Sequence, residues 1–206
     1  MDILQVITQE LGVQKWQVEA AVKLIDEGNT IPFISRYRKE ATGTLNDEQL
    51  RNLNERLTYL RNLEDKKNQV LSSIEDQGKL TEELKAQILA AQTLVVVEDL
   101  YRPYRPKRRT RAAIAKEKGL EPLANIIMLQ MTGKSIEEEA EAFVSEEKEV
   151  ASVADAIAGA KDIIAEHISD EADYRIHIRD LTAKKGTISS TAKDPEAQSV
   201  YEMYYE

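Results

Sequence analysis

Between Asn46 and Gly78 the chain repeats leucine at helical spacing, and this stretch limits the possible folds more than any other. Leu50, Leu53, Leu57 and Leu60 follow in steps of three and four, and Leu63, Val70, Leu71 and Ile74 continue a slowly rotating stripe. Asn46 is a good N-cap, Glu48 and Gln49 sit in the first turn, and Gly78 stops the pattern. A helix of about thirty residues is about 45 Å long, the length of a strut or spine. Whatever else the chain does, it must cover that stripe.

The rest reads as further helices. Ile3, Leu4, Ile7 and Leu11 recur at helical spacing before Gly12, and Trp16, Ala20, Val22, Leu24 and Ile25 follow before Gly28. Thr81 and Ser135 open capping patterns, the second with Glu138 three residues on. The alanine-rich "VASVADAIAGAKDIIAEHI" is helical apart from Gly159, and "EADYRIHIRDLTAKKG" ends at Gly186. Only "LVVVEDL" and "TISST" have strand character, and the helical neighbours of the first make it a buried helical turn or an irregular segment. The expected fold is all-α, an elongated multi-helix assembly with a helix-turn-helix-like element and a long central helix, dividing into 1–78 and 79–206. At 206 residues and 42% hydrophobic, the chain can build cores of that kind. Three tyrosines in the last six residues lack an element to bury them, so this end is expected to continue into a longer chain.

Several chemistries are excluded or disfavoured. Without cysteine there are no disulfides and no thiolate metal sites. The eight glycines are isolated, which rules out a glycine-rich phosphate cradle. His167 and His177 are ten residues apart, on different helix faces, and make no metal pair by themselves. No nucleophile elbow occurs, and "IEEEAEAF" and "SEEKE" read as solvated helix faces. No catalytic residue, cofactor or metal is expected. "MDILQVITQELG" is not a signal peptide, and no apolar run is long enough to span a bilayer, so a soluble cytoplasmic chain with no membrane partner is expected.

Against a formal net charge of -9, the string "YRPYRPKRRTRAAIAKEKG" stands out. Arg102, Arg105, Lys107, Arg108, Arg109 and Arg111 place six cations in ten positions without an acid. Pro103 and Pro106 forbid a regular helix and favour extended backbone, which can lay guanidinium groups along phosphates. Tyr101 and Tyr104 could stack on unpaired bases, and Thr110 caps a following helix. The alternative partner is protein: the acidic region from Glu137 to Glu149, or another domain. In "NTIPFISRYRKEATGTL", Arg36, Arg38 and Lys39 surround Tyr37. They are either a second contact set or exposed cations on a linker anchored by Phe33 and Ile34. The two helices joined through "LGVQ" have helix-turn-helix proportions, but the second is too acidic to enter a DNA groove.

Two of these stretches, "GNTIPFISRYRKEATGTL" and "VVVEDLYRPYRPKRRTRAAIAKEKGLEPLA", closely resemble the N-terminal region of the Tex family of bacterial transcription accessory proteins. The resemblance covers essentially the whole chain, long leucine-striped helix included. It implies a helix-turn-helix-like element followed, in the family, by an RNase-H-like domain, a helix-hairpin-helix region and a C-terminal OB-fold RNA-binding domain, none of which this sequence contains. Family members are similar to a eukaryotic elongation factor that works with histones and RNA polymerase. The implied partners are RNA or DNA, the remaining Tex domains and RNA polymerase. The expectation is a non-catalytic module that supplies architecture and a basic surface, or else a scaffold whose arm docks on protein. Much of the family's nucleic-acid affinity is expected from the OB-fold domain.

Overall fold

The computed structural model describes residues 2–205, which form eleven α-helices and two 3-10 turns. Among them there is no strand, only an isolated antiparallel bridge between Ser145 and Val150, so the all-α expectation holds. The chain divides into two compact units, Met1–Tyr101 and Arg102–Glu206.

In the first unit, α1 (Ile3–Leu11), α2 (Lys15–Asp26) and α3 (Ile31–Tyr37) precede the spine, α4 (Asp47–Asp76). Next come α5 (Glu82–Ala90) and α6 (Leu94–Tyr101). The start of α4 is fixed by a capping box in which the Asn46 side chain accepts from Gln49 N–H and the Gln49 side chain accepts from Asn46 N–H. Its buried stripe is Leu50, Leu53, Leu57, Leu60, Leu63, Lys67, Val70 and Ile74. Helices α1 to α3 cover the first half of this stripe, where Arg56 pairs with Glu10 at 2.6 Å and Arg61 with Asp26 at 2.7 Å. Helices α5 and α6 cover the second half, where Ser73 and Tyr101 share a hydroxyl hydrogen bond at 3.0 Å and Lys66 pairs with Glu98 at 2.6 Å.

Between α1 and α2 the chain turns at Gly12, whose φ of 63° is left-handed and suits a residue without Cβ. The "TIPFISRY" segment is helical rather than a linker, since Pro32 falls in the first turn, where its missing N–H costs nothing. "LVVVEDL" is helical too: Thr93 Oγ1 accepts from Val96 N–H, the Tyr59 hydroxyl accepts from Leu94 N–H, and Val97 is fully buried. Packing against α4 overrides the strand preference of its valines.

The second unit opens with a 3-10 turn at Arg102–Tyr104 and irregular backbone to Thr110. It continues with α7 (Arg111–Glu117), α8 (Glu121–Leu129), α9 (Ile136–Glu141), α10 (Val153–Asp170) and α11 (Ala172–Lys185). Its core is small-residue packing: Ala112, Ala115, Ala124, Ala140, Ala156 and Ala160 around Leu120, Leu123 and Ile163. Gly159 does not break α10. A Cβ there would lie 2.4 Å from a Leu120 methyl and 3.3 Å from Ala115 Cβ, so glycine allows α7 and the α7–α8 turn to approach α10 closely. "TISST" forms no strand, and α11 has no fully buried residue, although Ala172, Arg175 and Ile176 are half-buried. Tyr174, Ile178 and Leu181 lie exposed along one of its faces, and Tyr201 and Tyr204 are exposed near the end of the described residues.

Candidate nucleic-acid interface

The prolines of the basic arm do keep it out of regular helix beyond the short turn at its start, and Thr110 caps α7 by accepting from Ala113 N–H at 3.0 Å. What the arm meets is α10. Asp162, Glu166 and Asp170 recur every four residues and therefore share one face of that helix. Arg102 pairs with Asp170 at 3.3 Å, Lys107 with Glu166 at 3.1 Å and also with Asp170, and Arg111 with Asp162 at 3.3 Å. Thr110 donates its hydroxyl to Glu166 at 2.9 Å. For these cations the acidic partner is α10 rather than the Glu137–Glu149 region.

Lys107 holds the arm most firmly. Burial pushes its ammonium down, but hydrogen bonds to Asp170 and Glu166 outweigh this and leave it above its ordinary value. Burial likewise pushes the Glu166 carboxyl up, and the hydrogen bonds from Lys107 and Thr110 leave it below its ordinary range. The outer arm is different. Arg109 reaches Glu117 at 3.2 Å and Arg111 reaches Asp162, yet their side chains stay 72% and 85% exposed. Arg108 is exposed and has no ion-pair partner among the described residues, and Arg105 is exposed but engaged. Neither tyrosine stands clear of the surface. Tyr101 is half-buried with its hydroxyl on Ser73 and Lys66 over its ring, and Tyr104 is half-buried and lines a cleft with Lys107 and His167.

The second cation set has the opposite character. Arg36, Arg38 and Lys39, at the end of α3 and just beyond it, are all exposed, and none has a carboxylate partner among the described residues. Arg38 is held in place: its guanidinium lies 5.2 Å from the Phe33 ring centroid and donates to the Tyr37 carbonyl at 3.2 Å. Tyr37 packs at 5.4 Å from Phe33 and keeps 66% of its surface exposed.

Two side chains carry weight that the sequence did not suggest. Trp16, grouped by its spacing with the apolar residues of α2, is 52% exposed and lies against the backbone of Gly43. Lys67 occupies the buried stripe of α4. The carboxylates Asp162, Glu166 and Asp170 recur at four-residue intervals in the sequence, but nothing local to that row points to the arm as its partner. His167 and His177 do not meet other ligands: among the described residues no group of three or more histidines and carboxylates is placed to hold a metal ion. No helix among them is long and apolar enough to cross a membrane.

Fold and site together define an all-helical module that displays cations and gathers no metal-binding cluster among its described residues. The chain belongs to the Tex family: the Tex-like protein N-terminal domain matches residues 1–75 and the Tex central region-like family matches residues 132–206. It is 47% identical over 205 residues to the uncharacterized protein YdcI of Bacillus subtilis (strain 168), covering 98% of this chain and 28% of that protein. With the transcriptional accessory protein Tex of Neisseria gonorrhoeae it shares 47% identity over 180 residues, 87% of this chain and 23% of that one. With the S1 RNA-binding domain-containing protein 1 of Homo sapiens it shares 29% identity over 185 residues, 89% of this chain and 18% of the other. The chain thus spans about a quarter of the length of its bacterial relatives.

Proposed function

We propose that the chain is a non-catalytic module of a Tex-like transcription accessory protein that offers nucleic acid a sequence-independent basic surface. The observation that carries this reading is the end of α3, where Arg36, Arg38 and Lys39 are exposed and unpaired by carboxylates among the described residues. Cations already matched by acids gain little from phosphate, whereas unmatched ones release counterions when they meet it. Arg108, Arg109 and Arg111 extend the reading to the outer arm, because exposed ion pairs contribute about 0–1 kcal/mol and give way to a phosphate. Arg102 and Lys107 act as anchors that hold the arm to α10. Such contacts position a nucleic acid and do not read its sequence. One relative's printed name, transcriptional accessory protein, and another's, S1 RNA-binding domain-containing protein, support a role in transcription alongside RNA.

The test is fluorescence anisotropy with labelled DNA and RNA across a salt series. One variant carries alanine at Arg36, Arg38 and Lys39, and a second carries it at Arg108, Arg109 and Arg111. Each phosphate contact contributes about -0.9 to the log–log salt slope on duplex DNA, so the first variant is expected to flatten the slope by about 2 to 3. Unchanged slopes in both folded variants, or no binding at low salt, would sink the reading.

A docking scaffold is the second reading, and one observation favours it. Tyr174, Ile178 and Leu181 make an exposed apolar stripe on a helix with no fully buried residue. That face suits another part of a Tex protein, or a component of the transcription machinery, better than a phosphate backbone.

A further inference from the structure

The surface formed by α2, α3 and the turn after α3 carries more than charge. Backbone bonds from Thr42 N–H to the Arg38 carbonyl (3.2 Å) and from Thr44 N–H to the Lys39 carbonyl (2.8 Å) close the turn that follows the cations. Thr42 is fully buried, and its hydroxyl bonds the Arg38 and Lys39 carbonyls at 3.3 and 3.4 Å. Helix α2 grips the same turn: Gln17 Nε2 donates to the carbonyls of Gly43 at 2.8 Å and Thr42 at 3.3 Å. Trp16 rests on Gly43 so closely that a Cβ there would lie 2.3 Å from indole Cη2. The glycine has φ 60°, and Thr44 beside it has φ 66°, a costly conformation for a β-branched residue.

The turn is therefore rigid. It holds a half-exposed indole on one side, follows directly on a mostly exposed phenol, and bears three cations without carboxylate partners. Aromatic side chains in water usually find apolar neighbours. Here Trp16 and Tyr37 keep 52% and 66% of their surface exposed, and Tyr37 is flanked in the chain by Arg36 and Arg38. One short segment thus offers a base a ring face and its phosphate a charge.

Resting on the basic-surface reading above, we infer that Trp16 and Tyr37 stack unpaired bases, so that this face prefers single-stranded nucleic acid to duplex. Duplex bases are already stacked on one another and offer only their phosphates here. Arg36, Arg38 and Lys39 serve both ligands, whereas Trp16 and Tyr37 serve only the single strand.

Trp16 is the only tryptophan in the chain, so its fluorescence reports on the site without a label. The 206-residue chain is titrated with a fifteen-nucleotide oligothymidylate, with a fifteen-base-pair duplex and with inorganic polyphosphate, while anisotropy of labelled oligonucleotides follows binding separately. Oligothymidylate should quench Trp16, and duplex and polyphosphate should bind with little quenching. Trp16→Ala and Tyr37→Ala should each weaken the single strand by about 5- to 100-fold and leave duplex affinity nearly unchanged. Quenching in the unmutated chain decides the matter even if a variant fails to fold. Binding of both nucleic acids with no quenching by the single strand would overturn the stacking inference and leave the basic surface standing. No binding of any polyanion at low salt would overturn both.

Discussion

Lys67 sits where the periodicity of α4 asks for leucine. Its side chain is 1% exposed, and its ammonium lies 2.9 Å from Glu64 and donates to the Leu89 carbonyl at 2.9 Å. The carbonyl belongs to the last turn of α5, where helix carbonyls lack intrahelical donors and the dipole favours a cation. One lysine thus ends α5 and fastens it to the spine. Lys67→Met keeps the volume and removes the donor, so it is expected to destabilise the protein by about 1–3 kcal/mol. The urea midpoint should fall with little change in slope. An unchanged midpoint would mean that the methylene stem alone supplies what this position needs.

Among the elements, α10 shows how much a single missing methyl can matter. Gly159 costs the helix about 1 kcal/mol of intrinsic propensity relative to alanine. Leu120 and Ala115, both almost fully buried, occupy the space a side chain would need. Overpacking of that kind costs about 1–3 kcal/mol, so Gly159→Ala is expected to lower the melting temperature despite its better propensity. A rise would show that Leu120 can rotate away. Much at this scale was legible beforehand: the stripe of α4, the caps at Asn46, Thr81, Thr110 and Ser135, and the helical nature of the chain all follow from local chemistry. Residues 31–37 did not read as helix because a proline masks the first turn. The arm's partner was hidden for a different reason. Glu166 and Asp170 lie about sixty positions from the arm, and only packing brings that face of α10 against it. The openness of Arg36, Arg38 and Lys39 is likewise a fact about what does not pack nearby, which no local pattern encodes.

For the whole molecule, carboxylates held below their ordinary range set the response to acid. A hydrogen bond from Arg56 lowers Glu10 and one from Arg61 lowers Asp26 in the first unit, and in the second Glu166 stays low despite the opposing effect of burial. A group depressed in the folded state contributes stability above its unfolded pKa and loses it as pH falls through the folded one. Melting temperature is therefore expected to fall as pH drops below the ordinary carboxylate range. Lys107 behaves in the opposite sense: its contribution is complete below the ordinary lysine value and fades as pH rises through its raised one. Thermal melts from acid to alkaline pH check both limbs. The acid limb should shrink in high salt, because the Glu10 and Asp26 pairs are partly exposed and screened. A flat acid limb would mean that these carboxylates contribute as much unfolded as folded.

The spine also dictates how this sequence can change length. Inserting one residue in the middle of α4 would turn everything beyond it by about 100° and advance it by about 1.5 Å. The seats for α5 and α6 would then face away from the side that holds α1 to α3. Seven inserted residues complete two turns to within about 20° and would nearly restore the phase. Insertions or deletions inside residues 47–76 should therefore survive selection in sevens, or in pairs that cancel.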